Sequence, residues 1–182
     1  MRGLVVALAL FVAAPAWAEE PTGFAEFRWG TASHRVDEGL YGKCAFDRAT
    51  EEVAFCTGYV LPSVGSVKLA FWSIPDPGGN AYDAKLAGYS ILLRASGYAS
   101  LKSVAVEKFG APTTSRMAAY TTGAGFKVSG EIVTWVWPGA TAHLSERCDK
   151  VTESCLNVRS KRGDDLIRGR LESDRVKAKK AF

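Results

Sequence analysis

Few residues in this chain could do chemistry, and their spacing decides what they can do. His34 and His143 are the only imidazoles. Ser33, His34 and Asp37 lie close in sequence but on one short predicted helix. That placement does not hold three groups in the geometry of a nucleophilic relay. Glu107 and Glu131 are the candidates for a hydrolytic carboxylate pair, yet nothing in their spacing makes them face each other. The chain has no GxSxG elbow, HExxH helix, phosphate-binding glycine loop with lysine, or dinucleotide fingerprint. It is therefore expected to be non-catalytic, with no cofactor and no metal.

Four cysteines remain: Cys44, Cys56, Cys148 and Cys155. They lack the CxxC spacing of a zinc site, and His34 and His143 sit in other contexts. Their meaning depends on compartment. Arg2 is followed by an apolar run over residues 4–14, and Ala16-Trp17-Ala18 places small residues before Glu19. These are the parts of an export signal cleaved after Ala18, and the run is too short to cross a bilayer. The expected product is periplasmic or secreted, with no transmembrane segment. In an oxidising compartment the cysteines are expected to bridge. Three connectivities are open, and local pairing, Cys44 with Cys56 and Cys148 with Cys155, is the expected one.

The 182 residues are about 47% apolar and 23% charged, which suits one folded domain and excludes a disordered or collagen-like chain. The organisation expected is a signal over 1–18, a single domain over 19–158 and a basic extension over 159–182. That extension holds nine basic and four acidic residues, whereas 19–158 holds 13 and 15. Such a tail could make weak contact with anionic surfaces. Nucleic acid is not an expected partner, because the basic residues are not interleaved with aromatics.

The elements that would position a site read as strands with a few short helices. A helix from Thr31 or Ser33 to Tyr41 is expected, capped by one of those hydroxyls. Residues 53–60, 66–74 and 88–95 are strand-like; Val67, Leu69 and Phe71 alternate with Lys68, Ala70 and Trp72. A turn follows at 75–80. Leu101, Val104, Ala105 and Phe109 mark the strongest helix, with Ser100 as its expected cap and Gly110 and Pro112 as its stop. Residues 126–128 and 131–137 are expected as two strands about Ser129-Gly130. Residues 144–147 and 156–159 should form a last hairpin around the Cys148–Cys155 loop, and 164–180 a polar helix. The order of helix then strands, twice over, suggests a tandem duplication. The expected class is α+β, an antiparallel sheet with two short helices on one face.

Aromatic side chains supply the candidate contact surface. Trp72, Tyr82, Trp135 and Trp137 are the candidate partner-binding residues; for Trp135 and Trp137, core packing and a surface platform are the two alternatives.

Phe27-Arg28-Trp29-Gly30-Thr31 and Glu107-Lys108-Phe109-Gly110-Ala111-Pro112 resemble motifs of small exported bacterial proteins that open with an F-R-x-x-W-G sequence. The helix-then-sheet layout is similar to the beta-lactamase inhibitor and outer-membrane assembly lipoprotein type of fold. The Cys44 to Cys56 spacing resembles the inhibitor family's first disulfide, while Cys148 to Cys155 is tighter than its second. The resemblance implies paired helix–sheet units that present aromatics from a concave sheet. The function expected is an exported protein-binding module, an inhibitor or accessory subunit of an envelope protein. The alternative is a small cell-envelope carbohydrate-binding or hydrolytic protein.

Overall fold

The computed structural model describes residues 19–49, 53–75, 84–148 and 150–165, together with 168 and 172. The signal over 1–18, most of the 75–80 turn, Tyr82 and most of the 164–180 helix lie outside the described residues.

The chain opens with a small hairpin, β1 (Gly23–Phe24) and β2 (Phe27–Arg28). Helix α1 (Ser33–Leu40) follows, then β3 (Ala45–Arg48), β4 (Val53–Leu61), β5 (Gly65–Ile74) and β6 (Lys85–Arg94). The second half repeats this layout: α2 (Tyr98–Phe109), then β7 (Thr114–Thr121), β8 (Lys127–Val136), β9 (Ala140–Ser145) and β10 (Glu153–Ser160). Residues 161–165 are helical. Eight strands form one antiparallel sheet in the order β3-β4-β5-β6-β10-β9-β8-β7. Each half is thus a helix and a four-strand meander, and the last strands of the two halves pair at the centre.

The expected α+β class, with both short helices on one face of an antiparallel sheet, is what the chain adopts. Period-2 alternation sends Val67, Leu69, Phe71, Val133, Trp135, Leu156 and Val158 to one face. There they meet Val36 and Leu40 of α1 and Leu101, Ala105 and Phe109 of α2 in one core. Phe24 packs edge-on against Tyr59, Phe71 and Tyr89, so the first hairpin plugs the same face.

Both motifs behind the resemblance have structural work. Trp29 stacks on Tyr89 and donates its indole N–H to the Pro21 carbonyl at 2.8 Å. Gly30, at φ 86°, bonds through its N–H to the Leu86 carbonyl, a backbone conformation side chains rarely adopt. Gly110, at φ 74°, ends α2, and its carbonyl accepts the Trp135 indole N–H at 3.0 Å.

Several local expectations change. No side chain caps α1, whose N-cap is Ala32. Its start is instead fixed by strand-like bonds: Ser33 N–H to the Ala84 carbonyl, and Leu86 N–H to the Thr31 carbonyl. Helix α2 begins at Tyr98 after a 3-10 turn (Ala95–Gly97), so Ser100 lies inside it and is not its cap. Ser129-Gly130 is no turn. Gly130 is buried in the middle of β8, paired with Ala118, where a Cβ would come within 2.7 Å of the Arg147 side chain. The reversal falls earlier, where Thr122 N–H donates to the Phe126 carbonyl.

Both cysteine pairs bridge locally, Cys44–Cys56 with Cα atoms 5.5 Å apart and Cys148–Cys155 at 6.0 Å. No helix among the described residues is long and apolar enough to cross a membrane.

Candidate functional site

The other face of the sheet carries the alternate residues of every strand. The helical turn 161–165 reaches over its β9–β10 end: the Asp164 carboxylate accepts a hydrogen bond from Thr141 and lies 3.7 Å from Arg159. Register builds a polar ladder across its middle, because Ala70, Ser90, Asn157, His143 and Thr134 are successive cross-strand partners.

These groups are wired together. The Trp72 indole N–H donates to Ser90 Oγ at 3.2 Å, and the Ser90 hydroxyl donates to Asn157 Oδ1 at 2.6 Å. Thr134 Oγ1 lies 3.1 Å from His143 Nδ1. Hydrogen bonding fixes the orientation of these side chains and leaves them little rotamer freedom. Gly88, the cross-strand partner of Trp72 and of Arg159, lets the Arg159 side chain lie close, its Cγ 3.2 Å from where a Cβ would sit. Burial holds the His143 pKa below the ordinary imidazole value; the Arg159 cation lowers it further and the Asp164 carboxylate partly opposes both. The imidazole is therefore neutral at pH 7.

Around the ladder the face is apolar and more basic than acidic, with Asp47 and Glu153 also on it. Phe55, Trp72, Leu92 and Ile132 are half-buried, and Val136 is 56% exposed. The Lys68 ammonium sits 4.0 Å from the centroid of Phe55. Arg94 and Arg116 are exposed on the same face. A depression of about 410 Å³ runs between Thr57, Lys68, Leu92, Arg94 and Glu153. Arg159 Nε is buried without a hydrogen-bond partner.

The candidate residues are distributed as follows. Trp72 lies on this face. Trp135 is buried, and Trp137 is half-buried; both pack edge-on against Phe109 under α2. Of the two alternatives for Trp135, core packing is the one adopted, so it is not a contact on the open face: the odd residues of β8 face the helices, and the even residues Ile132, Thr134 and Val136 reach the open face. Tyr82 lies outside the described residues. The basic ladder-side residues Lys68, Arg94 and Arg116 escaped the sequence reading, although their alternation with core residues was the signal that would have found Lys68.

Neither hypothetical catalytic group is assembled. Glu107 is exposed on α2, whereas Glu131 is gripped on the helix side by Lys102 Nζ at 2.6 and 2.8 Å, Ser115 Oγ at 2.7 Å and Tyr98 Oη at 2.7 Å. Those hydrogen bonds, Lys102 first, hold its carboxyl down at about 2. Asp37, near His34, is taken by a bidentate pairing with Arg48 at 2.6 Å. No cluster of metal-ligating side chains occurs among the described residues.

Comparison with protein-family models, curated proteins and solved structures finds no match to this chain.

Proposed function

We propose that the chain is an exported, non-catalytic binding module, an inhibitor or accessory subunit that docks an acidic surface of an envelope or extracellular protein. The observation that carries this reading is the sheet face opposite α1 and α2, on which the strand register assembles the polar ladder with its apolar and basic surround. Phe55, Trp72, Leu92 and Val136 offer contact area on it, the wired ladder offers fixed polar groups, and Lys68, Arg94 and Arg116 set its sign. The start of the basic extension lies against the same face, where Asp164 accepts from Thr141, and its charge would add long-range attraction for the same kind of partner. The two disulfides suit a periplasmic or secreted location.

The test is crosslinking capture from envelope extract with the wild type and two exposed-face variants, Val136→Glu and Lys68→Glu. A stoichiometric partner that both variants lose, and that weakens with added salt, supports the reading. A partner held equally by both variants, or a blank capture beside positive glycan binding, overturns it.

A further inference from the structure

The sheet ends in two edges that are finished differently. Edge strand β3 is only four residues long, ends in Asp47 and Arg48, and is tied down by the Cys44–Cys56 bridge and the Arg48–Asp37 pair. Short, charged, fastened edges resist pairing with another chain. Edge strand β7 has none of these devices. It is eight residues of Thr-Ser-Arg-Met-Ala-Ala-Tyr-Thr, with one charged side chain and no proline, and it keeps an unbroken register with β8. Six large apolar side chains are exposed among the described residues; Met117 lies on β7 itself, and Phe126 and Val136 stand at the two ends of its partner strand β8.

The hydrogen-bond phase says which groups are free. Thr122 N–H donates to the Phe126 carbonyl, so even-numbered residues of β7 bond to β8. Ser115, Met117, Ala119 and Thr121 therefore turn their main-chain N–H and C=O groups outward along the open edge.

We propose that two copies of this chain pair through β7, antiparallel about a two-fold axis at Ala118, joining their sheets into one. The pairing rests on the backbone and register of β7 and not on the binding face described above, although Arg116 borders both. The register follows from self-complementarity. Met117 and Ser115 would exchange main-chain bonds with Ala119 and Thr121 of the second copy. Ala118 meets itself at a non-hydrogen-bonded position, where the backbones come closest and a small side chain fits. Arg116 meets Tyr120 of the second copy instead of a like charge, placing a guanidinium beside a ring on the open face. Met117, the bulkiest exposed group of the edge, meets the small Ala119.

Sedimentation velocity of the oxidised protein over a concentration series reads the assembly. The expected result is a concentration-dependent dimer. Ala119→Pro removes an N–H that only the second copy would use, and Ala118→Glu sets two like charges together on the axis; each variant should sediment as a folded monomer. Ala118→Cys should give a covalent dimer on a non-reducing gel, since Cα atoms about 4.5 Å apart at such a pair can be bridged. Ala119→Cys should not. A wild type that stays monomeric at the highest concentration reached, or a dimer that survives Ala118→Glu, overturns the proposal.

Discussion

Replacing Glu131 with glutamine tests whether the half-exposed network under α2 is an electrostatic clamp or mere packing. The carboxylate accepts from Lys102, Ser115 and Tyr98, and its pKa falls from the ordinary 4.5 to about 2. At 1.36 kcal/mol per pKa unit that fall corresponds to about 3 kcal/mol. The Lys102 side chain is 36% exposed, so solvent screens the main partner. Glutamine also keeps an oxygen for the two hydroxyls. The expected loss is therefore about 1 to 2 kcal/mol at pH 7. A carboxyl whose pKa falls on folding adds stability above its unfolded value and loses it as pH falls through the folded one. The stability gap between wild type and Glu131→Gln should hold above pH 5 and close as pH falls from 4.5 towards 2. Urea unfolding followed by tryptophan fluorescence at pH 7, 4 and 2 reads this directly. At pH 7, Lys102→Met combined with Glu131→Gln should show a coupling of about 1 kcal/mol. A gap that persists unchanged at pH 2 would refute the electrostatic argument and assign the effect to shape.

Other consequences follow from the core and the open face. Trp135→Ala empties a buried site between β8 and α2 and orphans the Gly110 carbonyl; it should cost about 3 to 5 kcal/mol in chemical denaturation. A neutral effect would show that Trp135 is not packed as described. The His143 imidazole should titrate below 6.5 by NMR, further down in Asp164→Asn and back up in Arg159→Leu. Because burial favours its neutral form, the folded state is most stable above pH 6.5 and loses stability as pH falls towards the lowered pKa, a slope that His143→Gln should remove.

The sequence made the fold class legible because alternation is a local signal. Val67 to Trp72 and Ile132 to Trp137 divide cleanly between the two faces. The disulfides were legible for the same reason, since each partner lies within one hairpin or its approach. What escaped depends on non-local contacts. β7 is mostly exposed, with small and polar residues, and is a strand because β8 pairs with it. Gly130 reads as a turn residue, but the side chain of Arg147 occupies the place its Cβ would take. The start of α1 is dictated by backbone bonds to the chain around Ala84 and Leu86, far away in sequence. For the candidate site, alternation pointed to Trp72 but could not say which face of β8 the helices would cover, and so left Trp135 and Trp137 undecided. The Ser90–Asn157 bond, between residues 67 positions apart, joins the last strands of the two halves and has no local trace.

The repeat also explains why the two edges are unequal. Because each half ends on the strand that pairs at the centre, each begins on the strand left at an edge: β3 in the first half and β7 in the second. The halves place their disulfides differently within this common plan. Cys44–Cys56 fastens the segment entering β3 onto β4, stiffening an edge. Cys148–Cys155 instead closes the β9–β10 connection beside the centre, leaving β7 held by β8 alone. The first half thus spends its covalent restraint where open backbone would otherwise invite another chain, and the second does not. If β7 had only to be kept solvated, lysines or a proline would suffice. Its uninterrupted sequence, with Arg116 as the one charge and Met117 exposed, fits the proposed pairing with a second copy.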